Sequence, residues 1–129
     1  MSEDATDLCS ADIYREFGFR YTQKVIDALG GAYIHHHMKG RHVHSQIATL
    51  RGLKTLEISW DPNCPKPIEQ LEEIYAIHGE LPLMTRCTAP EVYERIEEIK
   101  RGRMVLMLNV TSLEEAREVM RFIRKHSRI

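Results

Sequence analysis

Helical and strand periodicities take strict turns along this chain, and that alternation narrows the folds open to it more than any other feature. Ser10 can cap a helix whose apolar residues Ile13, Phe17, Tyr21, Val25 and Ala28 or Leu29 recur at helical spacing until Gly30-Gly31 stops it. Tyr33 to His37 then reads as a strand, Val43, Ile47 and Leu50 as a helix, and Thr55 to Trp60 as an alternating strand. After the stiff loop Asp61-Pro62-Asn63-Cys64-Pro65-Lys66-Pro67, a helix over Ile68 to Ile77 and a short strand over Leu81 to Arg86 follow. Thr88-Ala89-Pro90-Glu91 has capping-box spacing before Val92, Ile96 and Ile99. Met104 to Leu108 is a continuous apolar run of the kind buried parallel strands show. Ser112-Leu113-Glu114-Glu115 opens a last helix through Leu113, Ala116, Met120 and Ile123.

One helix followed by four strand–helix units predicts an α/β fold with a parallel four-stranded sheet and right-handed crossovers. Four such units are half of a TIM-type barrel, and 129 residues fall well short of the roughly 250 a full barrel takes. A lone half-barrel would carry two free sheet edges. A second copy would close it into an eight-stranded barrel, a separately encoded amino-terminal half would do the same, or the four strands form a small open sheet; symmetry makes a homodimer the simplest. Residues 1–9 read as a loose lead-in and residues 10–129 as a single domain. Trp60, Met104, Met107 and Met120 are expected in the core.

The formal net charge of −1 leaves no basic excess for a nucleic-acid footprint, and no apolar run nears the roughly 20 residues of a membrane span. The acidic opening Met1-Ser2-Glu3-Asp4 is unlike a secretion signal, and Cys9, Cys64 and Cys87 lack a disulfide or ligand spacing, so the cytoplasm is the expected compartment.

Chemistry concentrates in His35-His36-His37. On a strand Tyr33, His35 and His37 share one face and His36 takes the other, so two imidazoles stand together at a strand's carboxyl end, where barrels place their active sites. Glu57 and Ser59 are expected on that same side. Glu57 and Asp61 are the candidate catalytic carboxylates, with Glu57 also able to orient an imidazole and Asp61 able to be a ligand, a base or a turn cap. Cys87, ending the third strand, is a candidate soft metal ligand, or a small buried residue. Lys39, Arg41, His42 and His44 cluster at a helix start, and Lys39 and Arg41 are the candidate cofactor-binding cations, or part of a solvated loop.

The pieces Ile13-Tyr14-Arg15-Glu16-Phe17, Leu29-Gly30-Gly31-Ala32-Tyr33-Ile34-His35-His36-His37 and Gly52-Leu53-Lys54-Thr55-Leu56 carry a family likeness. Across Tyr14 to Ser127 the chain resembles the carboxyl-terminal half of the uroporphyrinogen decarboxylase superfamily, which includes the corrinoid methyltransferases. The resemblance implies a zinc ion that activates a thiol to take a methyl group from a cobalamin, held in part by a His-x-Cys pair; that pattern falls on His35 and His37, with His37 in place of the Cys. The family's third ligand is a Cys after its last strand, where this chain reads Asn109-Val110-Thr111-Ser112; Asp61 and Cys87 are the substitutes at hand. In the decarboxylase branch, the residues that hold substrate come mostly from the other half-barrel, so a partner would have to supply them. The reading is a zinc-dependent methyltransferase-type enzyme, or part of one, acting on a small thiol or tetrapyrrole-related substrate with a corrinoid or corrinoid protein as donor. The alternative is a non-catalytic module binding a tetrapyrrole, a corrinoid or a small carboxylate, and a metal-dependent hydrolase ranks third.

Overall fold

A computed structural model describes residues 1–127. The sheet is parallel throughout, in the order β1 (Ala32–His37), β2 (Leu53–Ser59), β3 (Leu83–Thr88), β4 (Met104–Asn109). Helix α1 is continuous through Ala11–Ile13, a π-helical segment Tyr14–Gly18, and Phe19–Leu29. The connecting helices are α2 (Arg41–Ile47), α3 (Leu71–His78) and α4 (Ala89–Ile99), and α5 (Leu113–His126) follows β4. Strands joined in sequential order by helices, with burial alternating along β1 and β3, set one face of the sheet against the helices and leave the other more exposed, a layout compatible with a half-barrel (βα)4 unit. Among the described residues no helix is long and apolar enough to cross a membrane.

The expected signals work locally. Ser10 accepts from the Ile13 amide, Thr88 and Glu91 make a reciprocal capping box, and Gly30 closes α1 in the left-handed region at φ 74°. Ser112 caps α5, but Glu115 turns to the Thr111 amide and hydroxyl instead of completing a box. The third strand begins two residues later than expected, after Pro82, which has no N–H to give to a ladder.

Alternation along the strands sorts the sheet into two faces. Ile34, Leu56, Ile58 and Leu83 are fully buried under the helices with Ile47, Ile68, Leu71, Ile74 and Val92. Each such side chain contributes about 1.5–3 kcal/mol by leaving water. On the more exposed face, register sets His35 beside Glu57, Met84 and Val105, and His37 beside Ser59.

Two expectations about burial are corrected. The stripe Ile13, Phe17, Tyr21, Val25 and Leu29 faces out, 43–73% exposed, and α1 instead buries Tyr14, Thr22 and Ile26. That neighbouring face is one position round the helix. It wins because Gly18 leaves room for the Tyr14 ring, where a Cβ would come within 2.5 Å of Cδ2, and because the Thr22 hydroxyl donates to the Glu3 carboxylate at 2.6 Å. Trp60 lies beyond the end of β2, half exposed, with its indole N–H on the Cys64 carbonyl at 2.7 Å, and Met120 is also largely exposed. Residues 1–9 are not loose. They pair with β1 through Glu3 N–H to the His35 carbonyl (3.0 Å) and His35 N–H to the Met1 carbonyl (2.8 Å), then form a 3-10 turn, Asp4–Leu8.

Candidate metal centre

His35 and His37 project from the more exposed face of β1 with their Nε2 atoms 3.1 Å apart and their rings nearly perpendicular at 86°. A carboxylate stands behind each ring. His35 Nδ1 lies 2.8 Å from Glu57 Oε2, and Glu57 also accepts the Tyr33 hydroxyl and, at 3.1 Å, the Ser59 hydroxyl. His37 Nδ1 lies 2.9 Å from Asp61 Oδ1, while Asp61 Oδ2 accepts the Lys39 amide at 3.0 Å. Burial opposes ionisation of Asp61, but the Lys39 amide and the His37 ring outweigh it and hold its carboxyl below the usual range. Glu57 and Asp61 are both buried, so these hydrogen bonds compete with little water.

This pattern sets the tautomers. A carboxylate can only accept, so each neutral imidazole carries its proton on Nδ1 and leaves Nε2 as a bare lone pair. Two lone pairs facing each other at 3.1 Å repel unless a proton or a metal ion lies between them. Ligands 2.0–2.1 Å from a tetrahedral zinc stand about 3.3 Å apart, which matches the spacing of this pair. Carboxylate–histidine units of this kind recur behind bound zinc, because they fix ring orientation and raise ligand basicity.

A third donor comes from the amino-terminal segment. Asp4 Oδ1 is 3.6 Å from His35 Nε2 and 3.7 Å from His37 Nε2, and the three ligand atoms lie within 4.8 Å of one another. Two imidazoles and one carboxylate are a donor set suited to a zinc site. Asp4 escapes the sequence reading because its segment shows no periodicity, and its place comes from pairing with β1.

The other candidates separate. Cys87 shares the helix-covered face of β3 with Leu83 and Thr85 and is buried. Burial, helped by Glu91, pushes its thiol up to about 11, so it stays protonated; it lines the cleft beside His37 but is not among the ligand atoms gathered with the histidines. Glu57 and Asp61 lie at the Nδ1 atoms of the two rings and are not among the gathered ligand atoms. The cluster expected at the start of α2 is not gathered into one pocket. Arg41 pairs with Glu73, Lys39 contributes its backbone amide while its side chain is exposed, the His42 ring meets the Cys9 carbonyl, and His44 is buried. Beside His37 a cleft of about 330 Å³ is walled by Ser59, Trp60, Arg86 and Asn109 among others. Arg86 has no ion-pair partner among the described residues.

Gly40 is needed here for space. A Cβ at this position would lie 1.8 Å from His36 Cε1 and 2.2 Å from Asp7 Oδ1, and His36 is fully buried and cannot yield. Gly40→Ala is expected to lower stability by about 1–3 kcal/mol, read as a shifted urea midpoint; an unchanged midpoint would show that this packing is looser than described.

Comparison with protein families, curated proteins and solved structures finds no match to this chain.

Proposed function

We propose that this chain is the metal-holding half-barrel of a zinc-dependent methyl-transfer enzyme of the uroporphyrinogen decarboxylase kind. One observation carries the reading: two imidazoles, each backed by its own carboxylate, bring their Nε2 atoms within 3.1 Å of each other with a third carboxylate beside them. His35, His37 and Asp4 would hold the ion. When bound, zinc supplies Lewis acidity that lowers the pKa of a thiol and makes thiolate available at neutral pH. Glu57 and Asp61 keep the rings aimed and balance the added charge. In the adjoining cleft the unpaired Arg86 guanidinium and the Asn109 amide suit the anionic end of a small substrate, and the exposed Trp60 ring offers an apolar wall. A corrinoid, free or carried on a protein, is the methyl donor of this reading. The sheet face that bears the site is the more exposed one, which supports pairing with a second half-barrel, either another copy or a separate chain. Solution mass by light scattering checks that pairing; a monomer at assay concentration argues against a homodimer.

The experiment is metal analysis of untagged protein followed by transfer from methylcobalamin to a small thiol. About one zinc per chain and thiol methylation that fails after chelation are expected. Folded protein that takes up no added zinc would overturn the proposal. The commitment of both Glu57 and Asp61 to imidazoles favours one other reading, a module that binds a tetrapyrrole, a corrinoid or a small carboxylate without turnover. Spectral shifts on titration with cobalamin or porphyrin, together with no methyl transfer, would select it.

A further inference from the structure

The strand that carries the metal pair also carries, on its opposite face, the anchor of the segment that supplies Asp4. We infer that residues 3–9 form a strap that is locked by a directed hydrogen-bond chain through Thr6, His36 and His44, and that this lock positions the third ligand. The inference rests on reading His35, His37 and Asp4 as a metal centre and adds positioning residues that touch no metal.

The chain's direction follows from donor and acceptor chemistry. The Thr6 hydroxyl donates to the Glu3 carbonyl at 2.6 Å, so its oxygen is free to accept, and it lies 2.7 Å from His36 Nε2. His36 therefore carries its proton on Nε2 and leaves Nδ1 bare. His44 Nε2 is 3.1 Å from that Nδ1, and both atoms lie 3.1 Å from the His37 carbonyl oxygen, which can only accept. In that tautomer His44 gives its Nε2–H to both His36 Nδ1 and the His37 carbonyl, so the donors run from His44 to His36 to Thr6 to Glu3. His36 and His44 are both fully buried, so water does not offer either ring an alternative partner.

Flanking ties hold the rest of the strap. The Glu3 amide pairs with the His35 carbonyl, the Glu3 carboxylate accepts from Thr22 at 2.6 Å, and the His42 ring donates to the Cys9 carbonyl at 2.7 Å. Asp4 lies between two anchored residues, Glu3 and Thr6. Its carboxylate is half exposed, and the two Nε2 atoms are what it faces. A carboxylate on a free tail would lose rotational and chain freedom on binding a metal; on a locked strap most of that cost is met during folding. Zinc affinity should therefore depend on Thr6, which is on the far side of the strand from the ion.

The test is zinc affinity of the full chain, by competition with a chromogenic chelator, with hydrogen exchange at the Glu3 and His35 amides read in the metal-free protein. Asp4→Asn and Thr6→Val are each expected to weaken zinc binding about 10-fold or more, while the double variant binds no more weakly than Asp4→Asn alone. Thr6→Ser, which keeps the hydroxyl, should restore both affinity and the slow exchange that Thr6→Val loses. Wild-type affinity in Thr6→Val, or additive losses in the double variant, would overturn the strap while leaving the metal centre standing, provided His35→Ala loses zinc. A wild-type protein without zinc affinity would overturn the centre and the strap's role with it. Unchanged exchange in Thr6→Val would show, independently of metal, that the lock is not Thr6.

Discussion

Alanine at His37 is expected to lower zinc affinity by more than about 100-fold and leave the fold intact. In the proposed site the ring is one of three donors, and its loss would leave an imidazole and a half-exposed carboxylate, too few to hold zinc against water. The side chain stands on the more exposed face and is outside the apolar core, so circular dichroism and the urea midpoint should change little. Asp61→Asn gives the graded control. The amide keeps the shape but loses the charge that aims and polarises His37, and changes at such supporting groups typically cost 10–100-fold in metal affinity. Chelator competition should rank wild type tightest, Asp61→Asn next and His37→Ala weakest. Equal affinities in all three would remove the metal from this site.

Acidification is expected to unfold the protein through the histidines under the sheet. His36, His44 and His78 form a buried row, with ring centroids 5.0 and 5.7 Å apart. Burial, reinforced by the neighbouring imidazoles, lowers His44 to about 3, and burial alone lowers His78 to about 4. In the unfolded chain both titrate near the ordinary value of 6.5. Between those limits the unfolded state binds more protons than the native one, so stability is complete above about pH 6.5 and is lost as pH falls toward 4. For His78 alone the loss is on the order of 3 kcal/mol by the time its native form protonates. Urea midpoints measured from pH 7.5 to 4.5 should therefore fall steadily. Among the described residues both ring nitrogens of His78 lack hydrogen-bond partners, so His78→Leu should keep stability at pH 7.5 and flatten the decline. Midpoints that do not move over this range would refute the assignment of these rings as neutral in the fold.

Much of the scaffold is legible in the chain because it is set by neighbours. Caps at Ser10 and Thr88, the glycine stop at Gly30 and the strand–helix alternation are contacts over a few residues, and each does locally what its spacing implies, while Ser112 caps its helix without the reciprocal Glu115 bond. Period-two geometry likewise places Tyr33, His35 and His37 together, and parallel register brings Glu57 and Ser59 to the same face. Cys87 illustrates the limit. Its residue type fits zinc, but one step of alternation along β3 sends it to the buried face, and nothing local says which phase faces the helices.

What the residues could not disclose was long-range. Apolar spacing on α1 fits two adjacent faces, and the choice between them was made by Gly18 admitting the Tyr14 ring and by Thr22 meeting Glu3, a contact 19 residues apart. Asp4 has no periodic neighbours to announce it; only the pairing of residues 1–3 with β1 carries it to the histidines 31 and 33 positions away. His36, His44 and His78 are unremarkable in the linear order and become a connected layer once α2 and α3 pack on β1 and β2. Short-range rules choose helices, strands and faces because they depend on backbone geometry repeated every few residues. The place of Asp4 beside the histidines, the buried row and the outward stripe depend on which surfaces finally meet, and that is settled by packing across the whole domain.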